Sequence, residues 1–374
     1  MRLFRLAALT AILTLSCGGA AYAAIGPLSG LKTVSFAGTT VEVPARWPVH
    51  DLRAEPHTCI RYDRPAVYLG DPGPDQNCPA GAVGQADTVR IASDGTVTRT
   101  IGYDVSAYDG KVPQAAPRGR PHGRSRIPSR GIKAAATYSG LGFDTCTAPS
   151  ADVMKTWASA SPYRAVGIYI GGIDRACLDG NLTPGWVKTV AKQGWKFFPI
   201  YVGLQAPCWK PPNGGHPALI APGRRWTQGE EAANDAANRA ASFGLALGSP
   251  IYFDMENYPR SDTGCTQDVQ AFLSAWTDQL HARGFISGIY SSSNGAIADM
   301  TLVYDIGAAY RADVAWYAHW DKVPKLFGDP TLNNGYWPGP QRIKQYLGPH
   351  NETYGGKKLN IDLNVLNAPV AALR

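Results

Sequence analysis

Pro250-Ile251-Tyr252-Phe253-Asp254-Met255-Glu256-Asn257 starts as an apolar, strand-like run and ends in two carboxylates spaced two apart. Side chains two apart on a strand share a face, so Asp254 and Glu256 point the same way where the strand stops. Seven more runs of this character follow or precede it, at 140–143, 165–170, 196–202, 286–290, 314–317, 343–346 and 359–363. Helix-like stretches separate several of them. The segment 228–245 is Ala-rich, and its Glu230 and Glu231 are expected in a first turn, where acids favour the helix dipole. The segment 266–283 sets Val269, Phe272, Leu273, Trp276 and Leu280 on one stripe, the pattern of a helix packed on a sheet. Eight strands with intervening helices over about 235 residues predict an α/β chain folded as a (β/α)8 TIM-like barrel. The competing open, doubly wound sheet lacks its signal, because no Gly-rich dinucleotide or P-loop fingerprint opens the first unit.

Barrel sites form at the C-terminal ends of the strands, so the residues that end these runs are the ones to read. Asp144 ends the first, Asp254 and Glu256 the fourth, and Asp362 lies in the eighth. Tyr290, Gln345 and Tyr346 end others, and His319 and Trp320 follow the sixth. Carboxylates crowded at one mouth repel, and burial penalises their charge, so one of a pair keeps its proton while another ionises. Glycoside hydrolysis needs that pair: an acid for the leaving oxygen, and a base, nucleophile or charge stabiliser for an oxocarbenium-like state. Aromatic rings near the strand ends, Tyr201, Trp209, Tyr290, Trp320 and Tyr346, suit the apolar faces of sugars, with Trp209 and Trp320 the best candidates for walls.

The motifs Gly142-Phe143-Asp144, Asp254-Met255-Glu256, Gly288-Ile289-Tyr290-Ser291, Trp316-Tyr317-Ala318-His319-Trp320, Gln345-Tyr346 and Ile361-Asp362-Leu363-Asn364 stand in the order seen in family 25 glycoside hydrolases, the Chalaropsis-type lysozymes. Gly142-Phe143-Asp144-Thr145-Cys146 and the Cys-containing loops resemble still more closely an actinobacterial family of exported, glycoside-hydrolase-like proteins. The resemblance runs from about Gly140 to Leu366. It implies a barrel whose acidic site is Asp144, Asp254, Glu256 and Asp362. It also implies Glu256 as general acid, and Asp254 as the group that stabilises the transition state or orients a 2-acetamido group. The chain departs from the lysozymes at Thr145-Cys146-Thr147-Ala148-Pro149 and in the long loop 206–225, which bears on substrate rather than fold.

The rest of the 374 residues sets the context. Met1-Arg2-Leu3-Phe4-Arg5, an apolar run over 6–15 and Ala21-Tyr22-Ala23 read as a secretory signal peptide, residues 1–23, cleaved after Ala23. Thr14-Leu15-Ser16 before Cys17 fits a lipobox less well. Short β-rich runs at 33–36, 40–43, 66–69 and 88–91 predict a small antiparallel β domain over 24–111. Residues 112–135, rich in Pro, Arg and Gly and free of acids, read as an exposed basic linker, and 136–374 as the barrel. Six cysteines remain after the signal, an even number in an oxidising compartment. Cys59 and Cys78 bracket a Gly/Pro-rich loop. Neighbouring barrel loops lie side by side, which pairs Cys146 with Cys177 and Cys208 with Cys265.

Net charge is +7, and cleavage removes Arg2 and Arg5 from it. That balance can attract anionic wall polymers; nucleic acid is not an expected partner of an exported chain. No GxSxG elbow, HExxH or EF-hand spacing occurs, so no metal and no cofactor are expected. Two functions fit: a secreted glycoside hydrolase, extracellular or wall-associated and a monomer, acting on bacterial cell-wall (peptidoglycan-like) polysaccharide, or a catalytically inactive glycan-binding protein on the same barrel.

Overall fold

A computed structural model describes residues 31–100, 132–178, 180–211, 215–306 and 311–374; the stretch read as a signal peptide and most of that read as a basic linker lie outside them. The barrel strands are β7 (Thr137–Asp144), β8 (Ala165–Gly171), β9 (Lys196–Tyr201), β10 (Pro250–Asp254), β11 (Ile286–Ser292), β12 (Val314–Ala318), β13 (Arg342–Tyr354) and β14 (Lys357–Pro369). They are hydrogen-bonded in chain order and close where β14 meets β7. Among the described residues five α-helices lie between them: α1 (Ala151–Ala160), α2 (Pro184–Lys192), α3 (Arg225–Ser242), α4 (Thr263–Ala282) and α5 (Ala296–Ile306). The fold is thus a TIM-like α/β barrel with small β-sheets at its N-terminal side.

One strand breaks the (β/α)8 pattern. β14 runs antiparallel to both β13 and β7, because β13 and β14 form a hairpin that turns at Gly355-Gly356, both with positive φ. No helix follows β12 or β13 among the described residues. Asp362 therefore does not end its strand. It pairs with Asp144 in the ladder, and the strand part before it, 357–361, projects past the rim with the hairpin. α3 also begins earlier than expected, at Arg225, which leaves Glu230 and Glu231 beyond its first turn. The expected stripe of α4 is buried throughout.

Strand periodicity sorts the side chains into two cores. Outward residues such as Phe143, Phe253 and Tyr317 pack under the helices in the larger cluster. Inward residues fill the barrel, where Phe198, Tyr252 and Trp316 meet edge to face. Gly288 is required by that filling: a Cβ there would stand 2.3 Å from the Tyr252 ring. Ile132 and Ala134, at the end of the stretch read as linker, pack against this inner core, and Ala135 N–H donates to the Gly248 carbonyl at the barrel's lower end.

The N-terminal region holds β1 (Leu31–Phe36) paired with β2 (Thr39–Pro44), and a four-stranded sheet of β3 (Val49–Asp51), β4 (Ala66–Leu69), β5 (Thr88–Ile91) and β6 (Val97–Thr100). That sheet is mixed rather than antiparallel, since β3–β4 and β4–β5 are parallel. Loops, not hairpins, join those strands, and they reach the barrel: Tyr62 N–H donates to the Ala176 carbonyl, and Gly84 N–H to that of Asp174. Among the described residues three disulfides staple the chain, Cys59–Cys78, Cys146–Cys177 and Cys208–Cys265. The first two pack against each other where the two parts meet.

Non-reducing peptide mapping is expected to recover those three pairs. Because Cys59, Cys78 and Cys177 sulfurs lie within 4.8 Å of one another, a Cys78–Cys177 cross-link is the specific result that would contradict this packing. Each bridge is worth roughly 2–4 kcal/mol, so reduction should lower Tm by well over 5 °C.

Candidate active site

At the upper rim, strand ends bring Asp144 from β7, Asp254 and Glu256 from β10 and its following residues, and Asp362 from β14 into one mouth. The inward parity that places Tyr252 in the barrel core carries on to Asp254 and Glu256. Asp144, Asp254 and Asp362 are buried, while Glu256 is half-buried and lines an open pocket of about 340 Å³. The order from floor to solvent is therefore aromatic core, three aspartates, then Glu256.

A hydrogen-bond web holds the group. Asn364 Nδ2 donates to Asp144 Oδ2 at 2.6 Å, and Gln345 Nε2 donates to the same oxygen at 3.2 Å. Tyr169 Oη donates to Asp144 Oδ1 at 3.3 Å. Gln345 Nε2 also reaches Asp362 Oδ2 at 3.3 Å, so one amide bridges two acids. The Gln345 carbonyl in turn accepts from Tyr290 Oη and Trp320 Nε1, each at 2.9 Å, which fixes which end of the amide faces the acids. Below, Trp316 Nε1 donates to Asn364 Oδ1 at 2.8 Å. On the β10 side, Gln205 spans the strand end. Its Nε2 donates to the Asp254 carbonyl at 2.9 Å, and its Oε1 accepts from Glu256 N–H at 2.8 Å.

No cation takes part in this web among the described residues, and the consequence is electrostatic. Burial pushes the Asp144 carboxyl up to about 6, against the pull of its Asn364, Gln345 and Tyr169 donors. Burial likewise raises Glu256 to about 7, opposed by the Asn257 backbone N–H. Asp254 is held well above the usual carboxylate range by burial and by the Glu256 and Asp144 charges. Asp362 is raised by burial and by the charges of Asp144, Glu256 and Asp254. Asp254 Oδ1 and Asp362 Oδ1 have no hydrogen-bond partner, as neutral acids can tolerate better than carboxylates. Asp144, with three donors aimed at it, is the member best fitted to carry negative charge.

Of the aromatic candidates, Tyr290 and Trp320 line the Glu256 pocket with Asn257 and His319. Trp320 is 56% exposed, with its ring lying against Gly348, where any Cβ would meet the indole at 2.8 Å. The others point elsewhere. Tyr201 faces outward, packs on Trp276 and donates to Asp235 at 2.9 Å. Tyr346 is also outward and buried, one residue out of phase with Gln345. Trp209 is buried in the loop after β9. Tyr201 and Tyr346 lie near strand ends in sequence, but strand parity turns them away from the mouth.

Sequence reading missed Tyr169, Gln205 and Asn364. Asn364 was legible, two residues after Asp362 and hence on its face; Tyr169 has the same parity as Gly167 on β8. Gln205 sits in a loop with no periodic signal. Near the pocket, His319 Nδ1 contacts Asp329 Oδ2 at 2.9 Å, and with Asp321 these residues converge as metal ligands could. Their charge is already met by Lys344 Nζ, 2.7 Å from Asp329 and 2.8 Å from Asp321.

No curated protein matches the chain. Among solved structures, an uncharacterized B. stearothermophilus protein is 16% identical, covering 60% of this chain and 95% of its own, at a TM-score of 0.41. The catalytic domain of the endolysin ply40 from bacteriophage P40 of Listeria monocytogenes is 13% identical over 61% and 93%, at 0.35. The Clostridium perfringens spore cortex lytic enzyme SleM is 14% identical over 62% and 68%, at 0.38. A family model matches residues 155–366, which take in Asp254, Glu256, Gln345 and Asp362. That segment is more than half of the chain, and the protein belongs to the family of the Rv2525c-like, glycoside hydrolase-like domain.

Proposed function

We propose that this barrel is a secreted glycoside hydrolase of bacterial cell-wall polysaccharide, with Glu256 as its general acid. The observation that carries the reading is the position of Glu256: the one acid of the four that lines the open pocket, with a carboxyl raised to about 7. An acid of that kind is still protonated near neutral pH and can protonate a leaving glycosidic oxygen. Asp144, poised at about 6 and surrounded by donors, supplies negative charge behind the reacting sugar. Asp254 and Asp362, buried beneath Glu256, act from below by keeping the mouth acidic. Trp320 and Tyr290 form the pocket's aromatic wall and base. Family membership and an exported, disulfide-stapled chain support a wall glycan as substrate.

Glu256→Gln keeps the shape of the side chain and removes its proton. Release of reducing ends from purified bacterial walls is expected to fall about 10²–10⁴-fold, with glycan binding retained. Equal release by both proteins would remove Glu256 from the mechanism. No release by the wild type from a broad glycan panel would favour the binding protein.

The pH dependence follows from the same groups. Turnover needs Asp144 ionised and Glu256 protonated, so kcat/KM is expected to be bell-shaped, falling below about pH 6 and above about pH 7. An alkaline limb that persists in Glu256→Gln would contradict the assignment.

Carboxyls raised by folding stabilise the protein only while protonated, and that contribution is lost as pH rises through their folded values. Asp362→Asn is permanently neutral, and it should be more stable than the wild type at pH 8 while losing activity. Unchanged or lower stability at pH 8 would show that Asp362 is not held in an unfavourable charge state.

A further inference from the structure

A cavity of about 580 Å³ lies apart from the Glu256 pocket. It lies between the N-terminal region and the part of the β13–β14 hairpin that projects past the rim. Thr145, which follows Asp144, and Asn360, two residues before Asp362, line its inner end. On β14 the residues 358, 360, 362 and 364 share one face, because the odd positions Ile361 and Leu363 lie in the outer core. Lys358, Asn360 and Asp362 thus form a row that leads from the acidic mouth into this cleft. Lys358 stands about 13 Å from Asp362 at strand spacing.

The cleft has the opposite charge character to the mouth. Arg61, Lys357 and Lys358 line it against a single carboxylate, Asp75. Arg61 is held by Asp63, and Lys357 has an exposed contact with Asp152 at 3.6 Å, which solvent weakens. The Lys358 side chain is exposed and has no ion-pair partner among the described residues. With Lys357 and Lys358 against one carboxylate, the lining carries an excess of positive charge that matches a sugar chain bearing acidic groups. The N-terminal side is anchored so that the cleft persists: Ala80 N–H donates to Asn360 Oδ1 at 2.9 Å, and Asn181 Nδ2 to the Pro74 carbonyl at 2.7 Å.

We infer that the cleft between the N-terminal sheets and the hairpin is a second binding site for the same polysaccharide, and that it selects chains bearing anionic substituents, with Lys357 and Lys358 as the recognising charges. This rests on the glycan-binding part of the proposed function. It gives the N-terminal region a role: it completes a subsite that the barrel alone lacks.

The test uses the full mature protein carrying Glu256→Gln, so that binding is read without turnover, with and without Lys357→Gln and Lys358→Gln together. Titration calorimetry would compare neutral chitohexaose, carboxylated polygalacturonate and a phosphodiester teichoic acid. At least one polyanion is expected to bind about tenfold more weakly to the double lysine variant, with a flatter salt dependence, and its identity tells carboxylate from phosphate. Chitohexaose affinity should not change. Equal affinity of both proteins for both polyanions would overturn the inference. Failure of chitohexaose to bind either protein, alongside lysine-dependent polyanion binding, would count against the mouth as a glycan site and leave the cleft standing.

Discussion

Four carboxyl groups share the barrel mouth, and no described cation pairs with any of them. Three are buried, and charge in a low-dielectric site is costly unless it is paired or dispersed by hydrogen bonds. Protonation relieves the cost. The neighbouring side chains set how the protons are distributed: Asn364, Gln345 and Tyr169 converge on Asp144, while Asp254 and Asp362 each keep an oxygen without a donor. Glu256, nearest to solvent, is left with a proton it can give away.

Much of the barrel serves to hold that arrangement. Trp316 anchors Asn364 from below, and Tyr252 and Phe198 pack against Trp316 to fill the space where water would otherwise reach the acids. Gly167 allows the closest approach, since a Cβ there would stand 2.7 Å from Asp144 Cβ. The antiparallel β14 matters as much. Running back through the mouth, one strand supplies Asp362 and Asn364 to the site and Asn360 and Lys358 to the cleft above it. The ion-paired Lys344, Asp321 and Asp329 fix the segment that carries Trp320.

The barrel and its acids were readable from residue order because both depend on local pattern. Apolar runs of strand length ended in Asp or Glu, and a spacing of two put Asp254 with Glu256 on one face. What could not be read was direction and facing. The hairpin turn at Gly355-Gly356 reverses β14, yet the apolar run of that strand looks the same in either direction. Tyr201 and Tyr346 look like rim residues by position, but their parity turns them to the helices. The mixed N-terminal sheet escaped for a similar reason: its strand order depends on long loops that also dock on the barrel, and such contacts leave no periodic trace.

The central claim is that this mouth holds protons that isolated carboxylic acids would have lost. Carbon-13 NMR titration of the Asp and Glu side-chain carboxyls, assigned by single substitutions, measures this directly. The account predicts that the Glu256 signal moves with a midpoint near 7, that Asp144 moves near 6, and that Asp254 and Asp362 titrate well above the ordinary carboxylate range. Four midpoints all below about 5, in the ordinary carboxylate range, would contradict it.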